Sequence, residues 1–266
     1  MFQNYQKLHC KYFIDAVLGF LKPSDKELMH TLAITNDISN TEWIHNVLHP
    51  QIDDKAPNLC VSEWIQGKPT NIDKERGKVV LVEVFQVNCP GCFTHGIPQA
   101  IDMHMKYYQD GLSVLGVATA FEDFDKNTLD NLKLLLTTGE VIGETRKVLA
   151  EYGRLAPENK LSYKIPFPVG MDTLLKSGLL TDERVMDFIE ANVPGYRSYP
   201  EKDKESIIER AKQYMKLKQF SAKTFEEYGL RGTPSAILID KKGALRQTFF
   251  GSNGLLEGAV KQLLNE

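Results

Sequence analysis

Residues 78–92 read KVVLVEVFQVNCPGC, nine residues dense in β-branched side chains running directly into a Cys-Pro-Gly-Cys step. A continuous apolar run of this length, rich in valine, is the pattern of a strand buried on both faces. The stretch that follows, from Phe93 to Gln109, is compatible with a helix, and Gly111 ends it. Leu112–Thr119 (LSVLGVAT) is a second buried strand by the same criterion. Strand, helix and strand in this order predict a βαβ unit with a right-handed crossover, with Cys89 and Cys92 at the N-terminus of its helix.

That location gives the cysteines a chemistry. A thiolate, not a thiol, is the nucleophile in disulfide exchange, and unpaired N–H groups at a helix start favour the thiolate. Cys89 is placed to be that nucleophile, and Cys92, one turn further in, to resolve a mixed disulfide. Pro90 suits the first helical turn, where its missing N–H is no loss. Glu83 stands out for the opposite reason, because a carboxylate inside LVEVF is costly unless it has a partner or a role. Six residues before Cys89 on the preceding strand, it is expected to approach the pair from beneath and to relay a proton to or from Cys92; the alternative is an acid pointing outward at a sheet edge.

Downstream, Asn127–Tyr152 is mostly helical in pattern, and IPFPVGMD (165–172) suggests a strand only in its second half, after its prolines. Thr173–Gln219 is charged and reads as helical, with Ile207, Ile208, Ala211 and Met215 toward a core. Phe225–Leu230 leads into Arg-Gly-Thr-Pro, after which SAILID (235–240), a Lys-Lys-Gly turn and ALRQTFF (244–250) predict an antiparallel hairpin. A helix from about Gly254 to Leu264 closes the chain. Thr233-Pro234 opens the SAILID strand, a position where proline is tolerated and a cis peptide is considered. Upstream, the first fifty residues read as helices, with a capping box at Ser24–Glu27 and a further helix ending at Pro50.

The chain has 266 residues, 42% of them hydrophobic and 25% charged, and a net charge of −3. Such a composition needs no disulfide staples for a core and shows no basic patch calling for nucleic acid or a membrane surface. The first apolar run is interrupted by Asp15 and followed by no small-residue cleavage site, so no signal peptide is read and the cytoplasm is the expected compartment. Cys10 and Cys60 are isolated and are expected to be buried thiols.

The stretches APNLCVSEWIQGKPTNIDKERGKVVLVEVFQVNCPGC, LSVLGVAT and YGLRGTPSAILIDKKGAL together resemble the thioredoxin superfamily, specifically the redoxin/TlpA-type thiol-disulfide reductases. The resemblance covers Ala56–Glu266. It implies an α/β thioredoxin-like fold over residues 55–266, a central mixed sheet flanked by helices, with a helical insertion at about 120–164 of the kind TlpA-type members allow. The helical insertion at 173–219 is additional to the family's pattern, and an N-terminal helical extension over 1–54 lies outside the resemblance. The resemblance implies that Cys89 attacks and Cys92 resolves, that Glu83 is the family's buried acid, and that Pro234 is the cis-proline facing the cysteines. Thr233 would offer its backbone to an extended substrate. The implied partners are a disulfide-containing protein or small thiol and a thiol electron donor, with no cofactor and no metal. Asn88 stands where the family usually has tryptophan.

Two other readings compete. Pro-Gly-Cys-Phe-Thr faintly resembles peroxiredoxins, with Cys92 as the peroxide-reactive residue, but Cys89 takes the place of their threonine. Cys89, Cys92 and His95 have ligand-like spacing, and His45 and His49 could share a helix face, so a Cys/His metal site is the third reading. No second Cys-x-x-Cys completes it in sequence.

Overall fold

The computed structural model describes residues 49–266 except 194, 219 and 253. The helices expected before His49, with their capping box, Cys10 and His45, lie outside the described residues. Two compact units are distinguished: one comprises Pro50–Lys176 and Phe220–Glu266, and the other includes Ser177–Gln219.

The first half of the larger unit contains β1 (Val61–Gln66), β2 (Val79–Phe85), α1 (Ile97–Tyr107), β3 (Leu112–Ala118), α2 (Leu129–Thr138) and α3 (Gly143–Glu151). Next come the two-residue strands β4 (Leu155–Ala156) and β5 (Lys160–Leu161), then β6 (Val169–Asp172) and β7 (Leu174–Lys176). The smaller unit supplies α4 (Asp182–Asn192) and α5 (Glu201–Leu217). The chain then returns through β8 (Phe220–Ala222), α6 (Lys223–Glu227), β9 (Ser235–Ile239), β10 (Leu245–Phe250) and α7 (Leu256–Asn265).

Six strands form one sheet in the order β1-β6-β3-β2-β9-β10. β2 runs parallel to β3, and β3 to β6, while β9 lies antiparallel to both β2 and β10. The βαβ unit and the C-terminal hairpin are therefore as the sequence predicts. The hairpin turn relies on Gly243, whose φ of +78° is a left-handed value that suits glycine.

All seven residues of β2 are buried, because neighbours on both sides and cores on both faces enclose it. Strand alternation divides it. Val79, Leu81 and Phe85 face a core shared with Cys92, Phe93, α1 and α7, whereas Val80, Val82 and Val84 face Phe225, Tyr228 and Ile237. Glu83 shares the parity of Leu81 and Phe85 and so points to the face that carries the cysteine helix. Phe85 and Phe93 meet edge to face with ring centroids 6.2 Å apart, and burying each contributes about 2–3 kcal/mol.

Local differences from the sequence reading have local causes. The helical span 127–152 is two helices, because Gly139 caps α2 in the left-handed conformation and the chain restarts at Gly143. Leu174–Lys176, expected to be helical, pairs antiparallel with Phe220–Ala222. The apolar face of that stretch is genuine but belongs to α4, α5 and the turn between them, where Val185, Ile189, Tyr196, Ile207 and Ala211 form a separate core. β1 has no counterpart in the sequence reading, since its exposed Ser62 and Glu63 mask the strand pattern at the sheet edge. Among the described residues, no helix is long and apolar enough to cross a membrane.

Candidate active site

β2 ends at Phe85, and a short turn carries the chain to a helical stretch beginning at Pro90. Cys89 is therefore the residue before the first helical turn. Its Sγ accepts a hydrogen bond from the Cys92 backbone N–H at 3.3 Å, one of the donors a helix start leaves unpaired. Cys89 is half-buried, and Cys92 is wholly buried in the core beneath it. Both thiols are free.

The two sulfurs have opposite electrostatics. Burial alone would raise the Cys89 thiol, but hydrogen bonds from the Cys92 thiol, the Thr233 hydroxyl and the Cys92 backbone hold it below the usual cysteine value. Cys89 Sγ also lies 3.6 Å from the Thr233 carbonyl oxygen, a contact only the protonated thiol can donate to, and this opposes ionisation without overcoming the other bonds. Burial pushes Cys92 well above the usual value, and the neighbouring Cys89 adds to the rise. One accessible, ionisable thiol and one inaccessible, protonated thiol is the asymmetry that stepwise disulfide exchange needs.

Glu83 is 3% exposed and lies in the interior of the sheet, paired in register with Gly116 and Ala236, so it is not the edge acid of the alternative reading. Its Oε1 has no hydrogen-bond partner. Burial first, and then the negative charge of Cys89, push its carboxyl well above the ordinary glutamate range. Glu83 in turn raises Cys92, which places it within electrostatic reach of both thiols.

The Thr233-Pro234 peptide bond is cis. A Cβ added to Gly91 would lie 3.7 Å from Pro234 Cδ, so the proline ring sits against the dipeptide between the cysteines. Cys89, Cys92, Glu83, Thr233 and Pro234 thus come together at one end of β2 and β9. His95 does not complete a ligand set with them: its Nδ1 is 2.7 Å from Thr94 Oγ1. Cys60 is half-buried rather than buried, with its Sγ donating to Glu227 Oε2 at 3.5 Å.

Several residues around the site have structural roles that the sequence does not assign. Asn88 is buried, donates from Nδ2 to Asp123 Oδ2 at 2.7 Å and accepts at Oδ1 from the Glu144 N–H at 2.7 Å. Its own N–H donates to Asn127 Oδ1 at 2.8 Å. It ties the segment before Cys89 to the 121–128 loop and to the start of α3. Tyr163, from the segment after β5, donates to the Phe93 carbonyl at 2.9 Å, and burial followed by the Cys92 charge raises its phenol. Glu122 is raised by burial and by Asp123, and its negative charge works against ionisation of Cys89. No spacing rule links these residues to the cysteines; a polar residue in place of the usual tryptophan at Asn88 was the one signal present.

The opening of the helix is also unusual. Cys92–Gly96 is a π-turn closed by the Ile97 N–H on the Cys92 carbonyl, and α1 follows it with Pro98 in its first turn. π-Turns of this kind concentrate at functional sites.

No protein-family model matches this chain. The chain is similar to a crystal structure of a thioredoxin-like superfamily protein at 30% sequence identity, covering 80% of this chain and 97% of that one with a TM-score of 0.48. It is similar to a thiol-disulfide isomerase from Corynebacterium glutamicum at 28% identity, covering 80% of this chain and 97% of that one with a TM-score of 0.50. Among curated proteins, it is 33% identical over 75 residues to Protein DipZ of Mycobacterium bovis, which is 27% of this chain and 11% of DipZ. The chain therefore spans about a tenth of that relative's length.

Proposed function

Since the chain belongs to the thioredoxin-like superfamily, we propose that it is a thiol-disulfide oxidoreductase of the redoxin/TlpA type, reducing or exchanging protein disulfides through Cys89 and Cys92. The observation that carries this reading is the pairing of a half-buried, ionisable Cys89 at a helix start with a wholly buried, protonated Cys92 one turn later.

The Cys89 thiolate attacks one sulfur of a client disulfide. A Cys89–client bond forms, the client S–S bond breaks, and one client thiolate departs. Forming this mixed disulfide removes the charge at Cys89 that helps keep Glu83 neutral. Glu83 can then ionise, its proton going through solvent to the departed thiolate, and its carboxylate accepts the Cys92 proton. The Cys92 thiolate attacks Cys89 Sγ, forming the Cys89–Cys92 disulfide and expelling the second client thiolate. Two electrons pass from the cysteine pair to the client, and an external dithiol restores the pair. Thr233, whose carbonyl faces Cys89, is the backbone that an extended client segment would meet.

Trapping tests the assignment. Cys92→Ser should accumulate mixed disulfides with a protein disulfide substrate, and Cys89→Ser should not. Equal trapping by both variants, or rapid hydrogen peroxide turnover dependent on Cys92 alone, would overturn the reading in favour of a different nucleophile or a peroxidase.

A further inference from the structure

Gly96 closes the π-turn with φ of −58° and ψ of −60°, helical values open to any L-residue. Glycine within a helix costs about 1 kcal/mol relative to alanine. Its presence here therefore has a steric rather than a conformational explanation. A Cβ at Gly96 would collide with Glu83 Oε1, and it would stand 2.5 Å from Pro234 Cβ and 3.1 Å from Pro234 Cγ. Three separate segments, β2, the π-turn and the loop before β9, converge on the one point that this missing side chain leaves open.

We propose that Gly96 is the positioning residue for the acid of the cysteine pair: its bare backbone makes the place in which the Glu83 carboxyl lies beneath Pro234 and beside the cysteines. The inference rests on the thiol-disulfide reading above and adds a determinant that the Cys-x-x-Cys spacing does not contain. The π-turn serves the same end. It runs from Cys92 to Gly96, so the same turn that holds the resolving cysteine brings Gly96 against Glu83 of β2, and Pro98, two residues on, is already in α1.

The chemistry that follows is specific. Glu83 Oε1 has no polar partner, and on this side its neighbours are the glycine backbone and the proline ring. Such surroundings favour the neutral acid until the charge at Cys89 is discharged. The titratable groups near Glu83 are Cys89 and Cys92 from the helix start, with Tyr163 beside Cys92 and His95 next to Gly96. Its in-register strand neighbours, Gly116 and Ala236, carry none. With the carboxyl displaced, Cys92 must lose its proton without a buried base, and it is the thiol that burial pushes up.

The test is single-turnover reduction of a peptide disulfide by the full-length reduced protein from pH 5 to 9. The mixed-disulfide step is separated from resolution by acid quench. Gly96→Ala should slow resolution at pH 7 on the order of tenfold and move its rising limb to higher pH. The rate at which Cys89 is alkylated should change less than about twofold, within the scatter of context effects on such a substitution. If wild-type protein does not reduce the peptide, the thiol-disulfide reading fails. If wild-type protein does, and a folded Gly96→Ala variant keeps the wild-type limb, this inference alone fails. Should Gly96→Ala not fold, Glu83→Asp decides, because it draws the carboxyl back from Gly96 by one methylene and leaves the helix untouched. A limb displaced to higher pH supports the positioning role, and an unchanged limb overturns it.

Discussion

Replacing Glu83 by glutamine should make the reduced protein progressively more stable than wild type as pH rises from 5 to 7. Glu83 is 3% exposed, its Oε1 has no hydrogen-bond donor, and burial followed by the Cys89 charge holds its carboxyl well above the ordinary range. In the unfolded chain the same carboxyl ionises near about 4.3. Below that value both states are protonated and the group contributes no pH dependence. Above it the unfolded state releases a proton that the folded state retains, so wild-type stability falls with pH until the folded carboxyl also ionises. The slope is at most about 1.4 kcal/mol per pH unit, or up to about 2.7 kcal/mol between pH 5 and 7. Glutamine does not titrate, so any cost of placing an amide beside Gly96 and Pro234 is constant and cancels from the difference. Urea unfolding of wild-type and Glu83→Gln protein at pH 5, 6 and 7, under a non-thiol reductant, measures it. A stability difference that is flat across these pH values would refute the claim that Glu83 is held neutral by its surroundings.

The Cys89 thiol should ionise at higher pH in Cys92→Ala than in wild type, because burial then acts without the Cys92 thiol that offsets it; iodoacetamide alkylation rates against pH read the shift directly. Asn88→Ala removes side-chain bonds to Asp123 and to the Glu144 N–H in a buried setting. It should cost about 1–3 kcal/mol in chemical denaturation and expose the 121–128 loop to limited proteolysis, whereas unchanged stability would count against its anchoring role. Asp172→Ala leaves the Thr224 and Phe225 N–H groups and the Thr119 hydroxyl without their buried acceptor. About 1–3 kcal/mol of stability should be lost, measured as a lower urea midpoint at unchanged slope.

The sequence by itself determined the parts whose signal is local. A run of β-branched residues, a following helix and a second apolar run suffice for a parallel βαβ unit, because chain chirality and strand burial leave few alternatives. Cys89 and Cys92 are close because they are neighbours on one helical turn, and the hairpin at 235–250 is dictated by its short turn. Glu83 was legible only in part: its apolar neighbours pointed to burial but left a sheet edge open, and pairing on both sides with Gly116 and Ala236 decided between them. Tertiary structure decided what depends on segments meeting across long separations. β1 is a strand because β6 pairs with it, since its own residues are half exposed. Leu174–Lys176 became a strand because Phe220–Ala222 returned beside it after more than forty residues. The roles of Asn88, Tyr163 and Gly96 belong to the same class. Nothing in a glycine's neighbours along the chain reports that a carboxyl from β2 and a proline from the loop before β9 both need the volume its side chain would fill. Hydrophobic pattern and turn chemistry are properties of a short window of chain, while steric exclusion and hydrogen-bond satisfaction exist only between surfaces that folding has brought together.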